Sequence, residues 1–376
     1  MTKPILYLAA GGTGGHLFPA IALSRALKKK NFKTVILTDA RAKQYASQTD
    51  GIDLQFLASG SIYSGGKTKK LLAPLKILLG VLQAMMIMVS NRPVAVIGFG
   101  GYPSFPPLLA ARLLFCKIAI HEQNAVLGRA NRMLSLLGAR IAASYPGTRH
   151  VPASSRGLMV VTGNPVRPEV LRYKDYAYSR HNVNGTFNLL VFGGSQGASV
   201  FSTLLPEAMS LMPREKLNRL RLVQQCRKGE LASTLQAYGA LGIDAELRDF
   251  FDDMPRRIVK AHLVISRSGA STISEMAVIG CPSLLVPLPQ SIDQDQKTNA
   301  LQLSNHEAAW VFDQKNLTPI KLAEMIGDYM DSPHKLETAA RAAKTRAMPQ
   351  ATENLVDFVE TYAGYRNGIK ISGDAA

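Results

Sequence analysis

The stretch "LAAGGTGGHLFPA", residues 8–20, places four glycines (Gly11, Gly12, Gly14, Gly15) and His16 where the strand-like run "PILYLAA" gives way to the helix-like run "AIALSRALKKK". A strand that enters a helix through glycines exposes backbone N–H groups at the positive end of the helix dipole, with no side chain to hold a ligand away. Such a turn suits phosphate or pyrophosphate. The same plan returns in "LLVFGGSQGASVFSTLLPEAM", residues 189–209, and two more small-residue turns follow in "GFGGYPSFPP" (98–107) and "SRSGAST" (266–272).

Around these turns, short apolar runs such as "KTVILTD", "AVIGFG", "KIAIHE" and "GLMVVTGN" alternate with helical stretches. That alternation predicts parallel strands joined by crossover helices. The pattern restarts after a polar link near residues 164–187, so two α/β units lie in series. The expected division is 1–163, completed by a C-terminal helix in 347–376, and 164–346.

The 376 residues carry a net charge of +17, and the placement of that charge is uneven. From Leu54 to Pro168 the only acidic residue is Glu122, against thirteen lysines and arginines. That stretch seeks an anionic partner: nucleic acid, an anionic membrane face or a phosphorylated substrate. The three cysteines (Cys116, Cys226, Cys281) are far apart and form no CxxC pair, and the seven histidines show no HxxxH spacing. A disulfide framework and a structural metal are disfavoured, and a reducing, cytoplasmic setting is expected.

A dinucleotide enzyme is the first alternative, with Asp39 placed to hold a ribose. Its G-x-G-x-x-G fingerprint starts at Gly12 and Gly14 but meets Leu17 where the third small residue belongs. Seven collinear motifs point elsewhere: "GGTGGHLFPA", "GFGGYPSFPP", "HEQNAVLGRANR", "GNPVR", "GGSQGA", "SRSGASTISE" and "DQDQKTNA". Together they resemble the bacterial peptidoglycan N-acetylglucosaminyltransferases. These enzymes move N-acetylglucosamine from UDP-N-acetylglucosamine to the 4-hydroxyl of undecaprenyl-pyrophosphoryl-N-acetylmuramoyl pentapeptide.

The resemblance implies a GT-B fold, α/β with two Rossmann-like doubly wound domains facing across a cleft, and an inverting, metal-independent hexosyltransferase with no cofactor. It assigns the donor to Arg167, Ser195, Phe251 (through its backbone), Ala270, Ser271, Thr272, Glu275 (ribose), Gln296 and Asn299, reached from the N-terminal wall by Thr13, Gly14 and Asn124. Gly15, Tyr102, His121 and Asn131 fall to the acceptor. His16 and Glu122 are the candidates for the catalytic base. A neutral imidazole suits the task, whereas basic surroundings lower a carboxylate's basicity, which favours His16 with Glu122 orienting. Asp295 departs from the His or Gln usual in the family, so the partners of the sugar hydroxyls stay open.

The implied partners are the two substrates, an anionic membrane surface and other cell-wall or division proteins; nucleic acid is not among them. The implied location is the cytoplasmic face of the inner membrane. A related glycolipid synthase and a catalytically silent membrane scaffold are the alternatives. The run Leu71–Ser90 carries only Lys76 as a charge and is long enough to span a bilayer. Pro74, Lys76 and a seven-residue polar recurrence (Lys69, Lys76, Gln83, Ser90) favour a crossover helix with one face on lipid, and Lys69, Lys70 and Lys76 near headgroups.

Overall fold

The computed structural model describes residues 3–60, 73–194 and 198–371. The chain divides into two compact units, Met1–Arg167 with Pro349–Ala376, and Pro168–Met348. Arg167, assigned from the sequence to the second unit, belongs by its packing to the first.

In the first unit seven strands form one parallel sheet: β1 (Ile5–Ala9), β2 (Lys33–Thr38), β3 (Asp53–Phe56), β4 (Ala95–Gly98), β5 (Ile118–Glu122), β6 (Arg140–Ala143) and β7 (Met159–Val161). Their order is β3-β2-β1-β4-β5-β6-β7. Side chains alternate across a strand, so β1 feeds two cores at once. Leu6, Leu8 and Ala10 enter one with Leu17, Phe32 and Ile97. Tyr7 and Ala9 enter the other with Val81, Leu108 and Ile120. Burial on both faces is why these strands read as unbroken apolar runs.

The C-terminal helix Ala351–Ala363 closes the first core with Leu355, Val356 and Val359. Tyr362 Oη donates to the Ile118 carbonyl at 3.0 Å and Asn354 Nδ2 to that of Thr162 at 3.2 Å.

The second unit repeats the plan with β8 (Phe187–Phe192), β9 (Leu220–Gln225), β10 (Ala245–Arg248), β11 (Leu263–Ser266), β12 (Ser283–Leu285) and β13 (Ala309–Val311). The order β10-β9-β8-β11-β12-β13 is again parallel throughout. In each sheet the order reverses once, beside β1 and β4 and beside β8 and β11, and α/β proteins take ligands at the carboxyl ends of such strands.

In the helix Ala73–Ser90 the polar recurrence divides: Lys76 and Ser90 are exposed, whereas Gln83 turns inward and accepts the Ala58 N–H at 2.9 Å. Ala73, Gly80, Val81, Ala84 and Met88 are buried, and Gly80 is required because a Cβ there would strike the Ala58 carbonyl. Leu75, Leu78, Leu79, Leu82, Met86 and Val89 are exposed instead. Lys69 and Lys70 lie outside the described residues.

Candidate functional site

The carboxyl ends of β1, β4 and β5 converge on His16. The helix Gly14–Lys29 starts one residue after Thr13, which accepts the His16 and Leu17 amides. The glycines of this turn have separate causes. A Cβ on Gly11 or Gly101 would stand 3.3 Å from His16 Cδ2, and one on Gly100 would stand 3.3 Å from Cε1 and Nδ1. Gly100 and Gly101 also hold φ of +84° and +73°, which side chains disfavour. The imidazole is thus clamped between two backbone turns.

A Cβ on Gly12 would meet Asp39 Oδ1 at 2.5 Å and the Ala42 amide at 2.7 Å. Gly14 packs on Phe18, and its N–H donates to Tyr45 Oη at 3.1 Å. Only Gly15 faces open space. Asp39 is taken up by Arg41, whose guanidinium reaches Oδ2 at 2.6 Å. That pairing removes the carboxylate a dinucleotide ribose would need.

A hydrogen-bonded chain backs the His16 ring. His16 Nδ1 lies 3.1 Å from Gln123 Oε1, Gln123 Nε2 lies 3.0 Å from His121 Nδ1, and His121 Nε2 lies 3.0 Å from the Gly163 carbonyl. His121 is fully buried, and burial pushes it down to about 4 against the opposing pull of the Gly163 carbonyl. Its ring is neutral at physiological pH.

Glu122, next along β5, points to the other side and is 2% exposed. Oε1 accepts from Asn124 N and Nδ2 at 3.0 and 3.1 Å, and Oε2 from Gly128 N and Asn131 Nδ2 at 2.8 and 2.9 Å. Four donors occupy this carboxylate, which folds the 122–131 loop and has no oxygen left for an incoming hydroxyl. These bonds weigh against Glu122 as the alternative base.

His121 and Asn131, assigned to the acceptor, are 0% and 1% exposed, so their side chains support the site from behind. Tyr102, Thr13 and Asn124 are half-buried and Gly15 is exposed. Arg167 lies with its guanidinium 6.0 Å from the Phe18 ring centre.

In the second unit the turn after β11 leads into the helix Ala270–Ile279, with Gly269 at its N-cap. Ala270 and Glu275 are buried, 8% and 7% exposed, and Ser271 Oγ is buried without a hydrogen-bond partner among the described residues. Thr272 stands in the first turn, its Oγ1 being the nearest atom, at 3.9 Å, to a Cβ built on Gly269.

Asn299 Nδ2 donates to the Ser268 carbonyl at 3.2 Å, and Ser268 Oγ donates to the Gln296 carbonyl at 2.8 Å. Gln296 Oε1 accepts the Leu288 amide at 3.0 Å, and Asp295 Oδ1 receives the Gln296 N–H at 2.7 Å. Six expected donor residues, Ala270, Ser271, Thr272, Glu275, Gln296 and Asn299, therefore group at this end of the sheet, with Arg267 beneath them. Arg267, missed in the sequence, is 8% exposed and braces the turn by donating to the Val286 and Pro287 carbonyls at 3.0 and 3.2 Å.

The Phe251 ring is buried beside the Arg257 guanidinium, 4.2 Å from its centroid, which leaves only the backbone to meet a base. Ser195 lies outside the described residues. A cavity of about 350 Å³ lined by Asn188, Arg221, Glu246 and Arg257 opens at the opposite, amino-terminal ends of β8 and β9 and has no part in this cluster.

Gln123 is the other residue sequence reasoning passed over. Its signal was the period of two at the end of β5, which puts residues 121 and 123 on one side and 122 on the other.

Comparison with known proteins agrees with both halves. Residues 6–143 match the glycosyltransferase family 28 N-terminal domain and residues 188–355 the glycosyltransferase family 28 C-terminal domain. UDP-N-acetylglucosamine–N-acetylmuramyl-(pentapeptide) pyrophosphoryl-undecaprenol N-acetylglucosamine transferases are similar from end to end. The one from Agrobacterium fabrum is 42% identical, covering 98% of this chain and 97% of its own, and that from Rhodospirillum centenum is 41% identical over the same shares. The crystal structure of Acinetobacter baumannii MurG superposes with a TM-score of 0.76 at 31% identity, covering 96% of this chain and 99% of that one. The chain has the GT-B fold and belongs to glycosyltransferase family 28, within it to the family of UDP-N-acetylglucosamine–N-acetylmuramyl-(pentapeptide) pyrophosphoryl-undecaprenol N-acetylglucosamine transferases.

Proposed function

We propose that the protein transfers N-acetylglucosamine from UDP-N-acetylglucosamine to the 4-hydroxyl of undecaprenyl-pyrophosphoryl-N-acetylmuramoyl pentapeptide, with inversion at the anomeric carbon. The observation that carries this reading is the match to such transferases over 98% of the chain, which takes in both units. The second unit binds the UDP-sugar and the first the acceptor.

His16 takes the proton of the attacking hydroxyl, and the acceptor oxygen forms its bond to the anomeric carbon as the bond to UDP breaks. Negative charge grows on the leaving diphosphate, so preorganised positive potential there is worth most. The N-terminus of the helix Ala270–Ile279 supplies it, and the reaction needs no metal. Glu275 accepts hydrogen bonds from the ribose hydroxyls, and Gln296 and Asn299 hold the sugar. The test is transfer of labelled N-acetylglucosamine to a lipid-linked muramoyl acceptor in excess EDTA. Absence of product at every metal condition would refute the function, and product only with added Mg²⁺ or Mn²⁺ would refute the metal-free mechanism.

The acceptor's lipid calls for attachment at the cytoplasmic face of the inner membrane. Support comes from six exposed apolar side chains on the helix Ala73–Ser90, Leu75, Leu78, Leu79, Leu82, Met86 and Val89, the kind of surface that marks an interaction site. Phe115 and Leu136 are exposed in the same unit, and Lys76, Arg112 and Arg129 are exposed cations for anionic headgroups. Changing Leu78 and Leu82 to Glu should release the protein from anionic vesicles in a flotation assay while donor affinity stays at the wild-type value. Retained flotation would remove this helix from the membrane contact.

A further inference from the structure

We propose that Gln123 and His121 are positioning residues that lock His16 in the tautomer with its proton on Nδ1, leaving Nε2 as the acceptor nitrogen. The inference deepens the reading of His16 as the base, on which its catalytic meaning rests.

The argument runs outward from a backbone group that has only one possible role. The Gly163 carbonyl can only accept, so His121 Nε2, 3.0 Å away, carries the hydrogen. The buried, neutral His121 therefore presents a lone pair at Nδ1, and the Gln123 group facing it at 3.0 Å is the amide NH₂. The second hydrogen of that NH₂ is used as well, on the His121 carbonyl at 3.2 Å. The Gln123 oxygen is thereby turned to His16, and an oxygen can only accept, so His16 Nδ1 carries the hydrogen.

Rotating the Gln123 amide by half a turn would set oxygen against the His121 lone pair and NH₂ against a His16 nitrogen. That arrangement is stable only if His121 shifts its proton to Nδ1 and points a lone pair at the Gly163 carbonyl. The chain thus has one low-energy direction. Among the described residues His16 Nε2 has no hydrogen-bond partner, and a half-turn of the ring would put Cδ2 in the place of Nδ1 and forfeit the bond to Gln123 Oε1.

The consequence is chemical. The neutral histidine side chain in water prefers its proton on Nε2, the nitrogen that has to be vacant here. When Nε2 takes the substrate proton, Nδ1–H goes on donating to Gln123 Oε1, so no partner has to reorganise. An uncharged amide fixes the ring without adding a charge to the site, in contrast to a carboxylate behind a catalytic histidine.

The test is the long-range ¹H–¹⁵N spectrum of histidine-labelled full-length protein at a pH where its imidazoles are neutral. His16 should show a protonated Nδ1 and an unprotonated Nε2, and His121 the reverse. In Gln123→Met, of similar size but without donor or acceptor, the His16 pattern should move toward averaged tautomers. In that variant kcat should fall about tenfold or more while the UDP-N-acetylglucosamine Kd holds, because the fraction of correctly protonated base drops. A wild-type His16 carrying its proton on Nε2, or an unmoved pattern in Gln123→Met, would overturn the proposal whatever the activity. A tautomer that scrambles as expected with kcat unchanged would uphold the lock and instead overturn His16 as the base.

Discussion

The two units share a strand order and a strand–glycine–helix turn, yet they use the glycines in opposite ways. In the first unit Gly11, Gly100 and Gly101 press on the His16 ring and Gly12 presses on the Asp39–Ala42 turn. In the second, a Cβ on Gly194 would meet nothing within 4 Å, and one on Gly269 only Thr272 Oγ1 at 3.9 Å. One set of glycines admits the protein's own side chain to the backbone; the other leaves room beside a helix N-terminus, where phosphate is favoured. The same local plan yields a fixed histidine in one unit and open space beside the helix Ala270–Ile279 in the other.

The largest effect expected from this contrast is a separation of rate from binding. His16→Ala should lower kcat by about 10²- to 10⁴-fold, the usual contribution of a general base, with the donor Kd unchanged in calorimetry. Glu275→Ala should do the converse, weakening donor binding by about 1.5–3 kcal/mol through loss of a charge-assisted hydrogen bond. If both variants changed Kd and kcat alike, the division of labour between the units would be wrong.

Acid sharpens the comparison because each unit buries neutral histidine. Burial pushes His121 down to about 4 in the first unit; in the second, burial first and then the neighbouring His181 push His262 down to about 4. A folded-state value below the unfolded value of about 6.5 means that the unfolded chain binds the proton more tightly. The destabilisation is absent above pH ~6.5, grows as pH falls, and is complete near pH 4. For the fully buried His121 it reaches about 3 kcal/mol. Denaturant melts between pH 7 and 4.5 should therefore show stability falling with pH, and His121→Phe should flatten that slope. An unaltered slope would mean that carboxylates alone set acid sensitivity.

Much of the fold was legible because it depends on local pattern: strands buried on both faces read as apolar runs, and Gly–helix junctions mark the carboxyl ends of the sheet. The grouping of the residues from Ala270 to Asn299 at one end of the second sheet was legible for the same reason, being two short collinear motifs. What stayed hidden depends on which residues meet across the chain. Nothing local tells that Glu122 is enclosed by Asn124, Gly128 and Asn131, or that Gln123 bridges two histidines 105 positions apart in number. Nor does the sequence tell that Gly12, one of the four glycines of the opening turn, is a packing contact, because its neighbour Asp39 arrives from the end of β2.

The glycines themselves give a smaller test. Gly12→Ala forces a Cβ to within 2.5 Å of Asp39 Oδ1 and 2.7 Å of a backbone amide, so the β2 turn has to move. Overpacking of this kind costs about 1–3 kcal/mol, with a lower Cm in urea. Gly269→Ala has room for its Cβ and an extended backbone, φ −63° and ψ 152°, that alanine adopts, so its stability cost should be only that of a poorer N-cap, about 0.5 kcal/mol. Its added methyl should instead weaken UDP binding. Equal destabilisation of the two variants would erase the difference between a packed and an open turn.

The smallest effect concerns the loop that leads into the sugar residues. Asp293 and Gln294 are successive non-glycine residues in the left-handed region, φ +53° and +55°, just before Asp295 starts the helix Asp295–Ser304. A left-handed residue other than glycine costs about 1–2 kcal/mol, less for Asp, which tolerates this region. The strain sits mainly on Gln294, whose carbonyl is committed to Thr298 Oγ1 at 3.1 Å and cannot turn away. Gln294→Gly relieves that cost but adds about 0.5–1 kcal/mol of unfolded-state freedom, so the net gain is about 0.5 kcal/mol, visible as a small rise in melting temperature. This strain sits two residues before Gln296, the expected sugar contact. The relaxed variant should therefore bind UDP as wild type does while binding UDP-N-acetylglucosamine more weakly, and a variant that is stabilised with both affinities unchanged would show that the strain has no bearing on the sugar.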